Sequence, residues 1–144
     1  MQIREILTLK SDEIHSIAPT DSVTNAVAKL VGLGIGSLVV LQDGKMVGLV
    51  TERDIVQGMM SQGCDLKDAQ VSKIMVTDPV VASADDSLDY ARDVMTKSHI
   101  GHLPILDGNT LMGVISFHDV ARACLKEANF ENSLLKRYIK HWPE

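Results

Sequence analysis

The chain has 144 residues and a mass of 15.7 kDa, enough for one compact domain or two very small ones sharing a core. Hydrophobic residues make up 45% and charged residues 23%, which excludes a disordered or fibrous protein. With 14 Lys+Arg against 19 Asp+Glu the net charge is −5, and the only aromatics are Phe117, Phe130, Tyr90, Tyr138 and Trp142. Both the basic footprint and the stacking faces of a nucleic-acid binder are therefore missing.

At the start, no apolar stretch follows Met1-Gln-Ile-Arg-Glu5, so no signal peptide is expected. Ile14-His-Ser-Ile17 reads as a short strand. Val23, Ala26, Val27, Leu30 and Val31 recur at helical spacing after the cap candidates Asp21-Ser22. Glycines 32, 34 and 36 end that helix. Strands are predicted over 37–41 and 46–50, joined by Gln42-Asp43-Gly44-Lys45, since Asp-Gly between apolar runs marks a hairpin. The run Leu38–Leu41, the longest apolar one, is far too short to span a bilayer. A second helix is expected from Thr51.

The same order then returns. Shifted by 65 residues, Asp21-Ser22-Val23 falls on Asp86-Ser87-Leu88, Ile35-Gly36-Ser37-Leu38 on Ile100-Gly101-His102-Leu103, and Gly48-Leu49-Val50-Thr51 on Gly113-Val114-Ile115-Ser116. Ile3-Arg-Glu-Ile6-Leu7 resembles Val71-Ser-Lys-Ile74-Met75 at a slightly larger offset. Pro79-Val-Val-Ala82 is the second copy's short strand. Leu88, Ala91, Val94 and Met95 form its helical stripe. Strands over 103–106 and 111–115 flank Asp107-Gly108-Asn109-Thr110, and a helix follows Ser116. Each copy is a β-α-β-β-α unit of roughly 60 residues, too small to bury its own sheet, so the copies should pack face to face. The fold class is α/β (α+β). The expected parts are 1–64 and 65–128 as the two repeats, and 129–144 as a helical extension.

Both copies pass from strand to helix through Gly-x-x-[Ser/Thr]-x-x-Asp: Gly48-Leu-Val-Thr51-Glu-Arg-Asp54 and Gly113-Val-Ile-Ser116-Phe-His-Asp119. One reading is a capping box, in which Thr51 or Ser116 caps the helix and the acid bonds back. The other is a binding site. A helix start after a strand offers free N–H groups to a phosphate, and an acid one turn on can accept bonds from a ribose diol. The two readings are compatible.

With these segments, the paired repeats and Ile100-Gly-His102-Leu-Pro104-Ile before the hairpin, the chain resembles a tandem CBS-domain protein (a Bateman module) of the small stand-alone bacterial type. The resemblance covers nearly all of residues 3–128. It implies two clefts at a pseudo-twofold axis, each able to take an adenosine ligand such as AMP, ADP, ATP, NAD or S-adenosylmethionine. By it, Asp54 and Asp119 would hold ribose hydroxyls, and Thr51 and Ser116 would touch ribose or phosphate. Residues around Ile17, Ser37, Leu38 and Val39, and around Ala82, His102, Leu103 and Pro104, would frame the adenine. The clefts are not equivalent. Gly101 stands where related proteins commonly carry a basic or polar residue, and Ser37-Leu38-Val39 stands where the second copy has His102-Leu103-Pro104. Arg53, which could reach a phosphate bidentately, is replaced by His118, which would do so only when protonated.

Other features carry less. Gly32-Leu-Gly34-Ile-Gly36 follows a helix and opens a strand, the reverse of a dinucleotide fingerprint. His99, His102 and His118 have no metal-ligand spacing, so no metal is expected. Cys64 and Cys124 read as free thiols of a reducing, cytoplasmic compartment. No nucleophile or triad is evident, so no catalysis and no required cofactor are expected. From Val120, a helical stripe runs through Ala121, Cys124, Leu125, Ala128, Leu135, Tyr138, Ile139 and Trp142, interrupted at Asn132. Lys136, Arg137 and Lys140 fit its C-terminal dipole. Such a stripe needs a partner, either the chain's own repeats or a second copy, and a homodimer is expected. The expected function is a non-enzymatic nucleotide sensor read by a separate protein effector, without nucleic acid or membrane. The alternative is a structural CBS dimer with no nucleotide ligand.

Overall fold

A computed structural model describes residues 1–10 and 13–140. Its elements in chain order are α1 (Ile3–Thr8), β1 (Ser16–Ile17), α2 (Val23–Leu33), β2 (Ser37–Gln42), β3 (Lys45–Thr51) and α3 (Glu52–Gln62). Two 3-10 turns follow (Gly63–Asp68 and Val71–Lys73), then β4 (Ala82–Ser83), α4 (Leu88–Ser98), β5 (His102–Asp107), β6 (Thr110–Ser116) and α5 (Phe117–Lys140).

The two repeats are copies down to their irregularities. Each holds a three-stranded mixed sheet, ordered β1-β2-β3 and β4-β5-β6, with a parallel pair at one edge and an antiparallel hairpin. The register slips at Val40/Leu41 in one sheet and at Ile105/Leu106 in the other, positions 65 residues apart. Ser22 and Ser87 cap α2 and α4 by accepting from the N–H groups of Asn25 and Tyr90. Asp43 and Gly44 take φ of 52° and 76°, a turn with both central residues left-handed, whereas the second hairpin needs this only at Gly108, φ 62°. Gly34, at φ 64°, ends α2, so Gly32 lies within the helix and Gly36 beyond it; His99 ends α4 at φ 53° without a glycine.

The sheets and helices enclose two cores. Ile17, Ala26, Leu30, Leu38, Val40 and Val50 fill the first, together with Val71. Ala82, Ala84, Leu88, Ala91, Met95, Leu103, Ile105, Ile115, Val120 and Ala123 fill the second, together with Ile3 and Ile6. The chain thus exchanges its connecting segments. The stretch leading into the second repeat completes the first core, and α1, which leads into the first repeat, completes the second. Equivalent backbone bonds hold both: Val71 N–H donates to the Asp21 carbonyl (2.8 Å) and Ile3 N–H to that of Asp86 (2.9 Å). Arg4 adds an exposed fork to Asp85 (2.9 Å) and Asp107 (3.2 Å).

α5 has 24 residues, about 36 Å at 1.5 Å per residue. It runs unbroken through residue 128. Its buried contacts with the repeat come from Val120 and Ala123, with Cys124 half-buried as a free thiol. Ala123 is absent from the stripe that spacing suggested, and Ala121 faces solvent. Beyond it Leu125, Phe130, Leu135, Tyr138 and Ile139 are 58–70% exposed, so the chain's own repeats do not cover that face. Trp142 lies outside the described residues, and so does the side chain of Lys140. No helix among the described residues is long and apolar enough to cross a membrane.

Candidate functional site

Each [Ser/Thr]-x-x-Asp segment folds as a helix cap. In the first repeat, Asp54 N–H donates to Thr51 Oγ1 (3.3 Å). Asp54 Oδ2 accepts from Thr51 N–H (2.8 Å) and from the Thr51 hydroxyl (2.9 Å). In the second, Asp119 N–H donates to Ser116 Oγ (3.1 Å) and Asp119 Oδ2 accepts from Ser116 N–H (2.8 Å). The capping reading therefore holds in both copies. It also fixes each carboxylate, half-buried, at the point where strand becomes helix.

The second motif opens on a cleft of about 670 Å³. Ser116, His118 and Asp119 line it from the second repeat. Ile14, His15, Gly36 and Ser37 line it from the first, and Arg4, Leu7 and Lys10 from α1 and its C-terminal end. His102, from the start of β5, also lies in this cleft. The expected residues Ser37, His102, Ser116, His118 and Asp119 thus come together, drawn from both repeats. Thr51 and Asp54 are half-buried and Arg53 is exposed, at the equivalent place on the other repeat. Ile17 and Leu38 belong to the first core and Ala82 and Leu103 to the second, so what these positions offer a ligand is backbone. Val39 and Pro104 are buried outside those two clusters.

Lys10, Arg4, His15 and Gly36 are cleft residues that sequence reasoning missed. Lys10 matters most. Its Nζ lies 2.6 Å from Asp119 Oδ2 and donates to the Val114 carbonyl at 2.8 Å. Burial raises the Asp119 pKa, but the bonds from Lys10 and Ser116 outweigh it, and the carboxyl titrates below its ordinary 3.8. Among the described residues Asp54 has no such cation. The signal was present in the offset that pairs Ile3–Leu7 with Val71–Met75: it places Lys10 opposite Asp78, a reversal of charge.

His102 lies over Gly36, so a side chain at that position would displace the imidazole. A Cβ there would stand 2.8 Å from His102 Nε2 and 2.9 Å from Cε1. Burial lowers the His102 pKa from its ordinary 6.5, with Lys10 adding to the effect and Glu52 and Asp119 opposing it. The imidazole is neutral at pH 7 and serves the cleft as a hydrogen-bonding group.

At the first repeat the matching segment is held differently. Leu49 N–H donates to the Val76 carbonyl (2.9 Å) and Val76 N–H to that of Leu49 (2.8 Å), so the chain after the second 3-10 turn pairs with β3. A Cβ on Gly48 would meet Met75 Sδ at 2.8 Å and the Val76 carbonyl oxygen at 2.9 Å.

The CBS domain family model matches residues 3–61 and 71–126. Among curated proteins, the CBS domain-containing protein YhcV of Bacillus subtilis is 29% identical over 76% of this chain and 77% of its own. The mitochondrial CBS domain-containing protein CBSX3 of Arabidopsis thaliana is 30% identical over 83% of this chain; the chain spans 61% of that relative's length. The inosine-5'-monophosphate dehydrogenase of Thermoplasma acidophilum is 29% identical, but over only 21% of that enzyme. Among solved structures, the CBS domain crystal structure of NE2398 superimposes with a TM-score of 0.82 at 30% identity, covering 87% of this chain and 98% of that one. Two solved folds at 22–23% identity, CBSX2 with AMP (TM-score 0.73) and the MJ0100 pair with 5'-methylthioadenosine and S-adenosyl-L-methionine (TM-score 0.76), share the architecture. With two matched copies covering most of its length, the chain belongs to the CBS-domain family as a small tandem pair.

Proposed function

We propose that the protein is a non-enzymatic regulatory module that binds an adenine nucleotide in the cleft between its repeats. The observation that carries this reading is the meeting of Ser116, His118 and Asp119 with Ser37 and His102 around one space of about 670 Å³. That volume is within the range of small-ligand sites. Asp119 Oδ2 accepts from Ser116 N–H and Lys10, and among the described residues Oδ1 carries no hydrogen bond, which leaves it for a ribose hydroxyl. Lys10 supplies a donor and positive potential for phosphate, beside the positive dipole end of α5, where the N–H groups of Phe117 and Asp119 are taken by the Gly101 carbonyl and Ser116 Oγ. The ligands held by the CBSX2 and MJ0100 folds support an adenosine compound. No further cofactor is invoked, and the output lies in oligomeric state or a separate effector protein. YhcV, a CBS-domain protein covered over most of its length, supports a function without a catalytic domain. The thiol of Cys124 fits a reducing compartment such as the cytoplasm. The uncovered apolar face of α5 fits a homodimer.

Titration with AMP, ADP, ATP, NAD and S-adenosylmethionine by calorimetry and thermal shift tests the reading. At least one should bind and raise Tm, and Asp119→Ala should weaken it by about ten- to a hundredfold, the effect of one charge-assisted hydrogen bond. Silence with all five would sink it. One observation favours the structural alternative: both motifs are satisfied as caps without a ligand. Under that reading, removal of residues 129–144 dissolves the dimer while nucleotides change nothing.

A further inference from the structure

We propose that Lys10 is the specificity-determining residue of this cleft, selecting a nucleoside that carries a phosphate over the bare nucleoside and over one that carries a sulfonium cation. The inference rests on the nucleotide-binding reading above and names which member of that ligand class the cleft takes.

Lys10 is held in place from two sides. Its backbone N–H donates to the Leu7 carbonyl (3.2 Å) at the end of α1, and α1 is fastened to the second repeat by buried Ile3 and Ile6 and by Arg4. Its ammonium is positioned by Asp119 and the Val114 carbonyl. An ammonium has three protons, and two are used in these bonds. The third remains for an acceptor in the cleft that Lys10 lines with His15 and His118. Asp119 keeps Oδ1 for a hydroxyl, so the pair need not break when a ligand enters. A nucleoside monophosphate supplies both complements, a hydroxyl for the carboxylate and an anion for the ammonium. A bare nucleoside leaves the third proton unused. A sulfonium places like charge beside a partly desolvated cation, which is repulsive at short range. The other repeat has Asp78 at the matching chain position, so the preference belongs to one cleft alone.

The test compares wild type, Lys10→Met and Lys10→Arg in titrations with AMP, adenosine and S-adenosylmethionine, with thermal melting to check folding. Wild type should bind AMP more tightly than adenosine. Lys10→Met should weaken AMP by about ten- to a hundredfold, the usual effect of losing one charge-assisted bond. It should leave adenosine where it was and improve S-adenosylmethionine, and Lys10→Arg should restore the AMP preference. Equal losses for AMP and adenosine, or an unchanged AMP affinity, would overturn the inference. If Asp119→Ala abolishes AMP binding while Lys10→Met does not, the inference falls and the nucleotide reading survives. If AMP does not bind wild type the inference falls, and if ADP, ATP, NAD and S-adenosylmethionine are silent as well the nucleotide reading falls with it.

Discussion

At the first repeat, the chain that leaves the 3-10 turns lies along β3, with Met75 over Gly48 and Val76 paired to Leu49. At the second repeat the corresponding chain is α1 with Leu9 and Lys10. Among the described residues it forms no backbone bridge to β6, and a lysine side chain reaches the Val114 carbonyl instead. The two carboxylates sit in the same cap geometry, yet one is served by a threonine hydroxyl and the other by an ammonium. A duplicated motif thus yields two different chemical environments through the segments laid across it. In a paired module of this kind the repeat fixes where the acid stands, and the connecting segment decides its charge balance.

Three changes would break or sharpen this contrast. The largest effect is expected from Gly48→Ala, because the added methyl meets the Val76 carbonyl oxygen, which is backbone and cannot turn aside. A cost of about 1–3 kcal/mol is expected in urea or thermal unfolding, the usual range for overpacking. An unchanged midpoint would mean that residues 75–76 can move away from β3 at little cost. Next come the caps. Thr51→Ala should cost about 1 kcal/mol. Ser116→Ala should cost less, since the threonine hydroxyl both accepts from Asp54 N–H and donates to its carboxylate, while Lys10 supplies the second bond to Asp119. Equal costs would deny Lys10 that role.

The smallest effects are those of pH. The His102 pKa is lowered from 6.5, so below that value the unfolded chain binds more protons than the folded one, and stability should fall as pH falls through this window. His102→Asn should flatten that part of the curve. The Asp119 pKa is lowered from 3.8, so the stability contributed by its pair with Lys10 is present above that value and is lost as pH falls below it. Lys10→Met should shrink this acid limb most, and the His102 window slightly, because Lys10 also helps to lower the imidazole pKa. Acid unfolding curves of the three proteins separate the two windows.

Much of the molecule was legible from local signals. The offset of 65 residues located both sheets, and even the register slips obey it. Ser22 and Ser87 as caps, both Asp-Gly hairpins and both acid motifs appeared where polar and apolar spacing put them. The strand over 14–17 was overextended, and that over 79–82 began too early and stopped short of Ser83, because only Ser16–Ile17 and Ala82–Ser83 pair with the neighbouring strand. The exchange of connecting segments was not legible. Nothing in the periodicity of Ile3-Arg-Glu-Ile6 says that its apolar side meets Ala84 and Leu88 rather than Ile17 and Ala26, since one pattern serves either core. Lys10 was missed for the same reason: its partner is 109 residues away, and a charge carries no periodicity. Ala123, which enters the core where Ala121 does not, shows how one helical position can mislead when a stripe is read at its edge.

The exchanged segments also order the events of synthesis. Val71 follows the first repeat closely, so that repeat can close soon after residues 69–75 leave the ribosome. The α1 segment is made before either repeat, yet the core that receives Ile3 and Ile6 is not complete until Val120 and Ala123 exist. Ile3, Ile6 and Leu7 are made before the residues of the second repeat that cover their apolar side. Of these elements the one made first has the latest-made partners, and the cleft that Lys10 lines is complete only once Ser116, His118 and Asp119 exist.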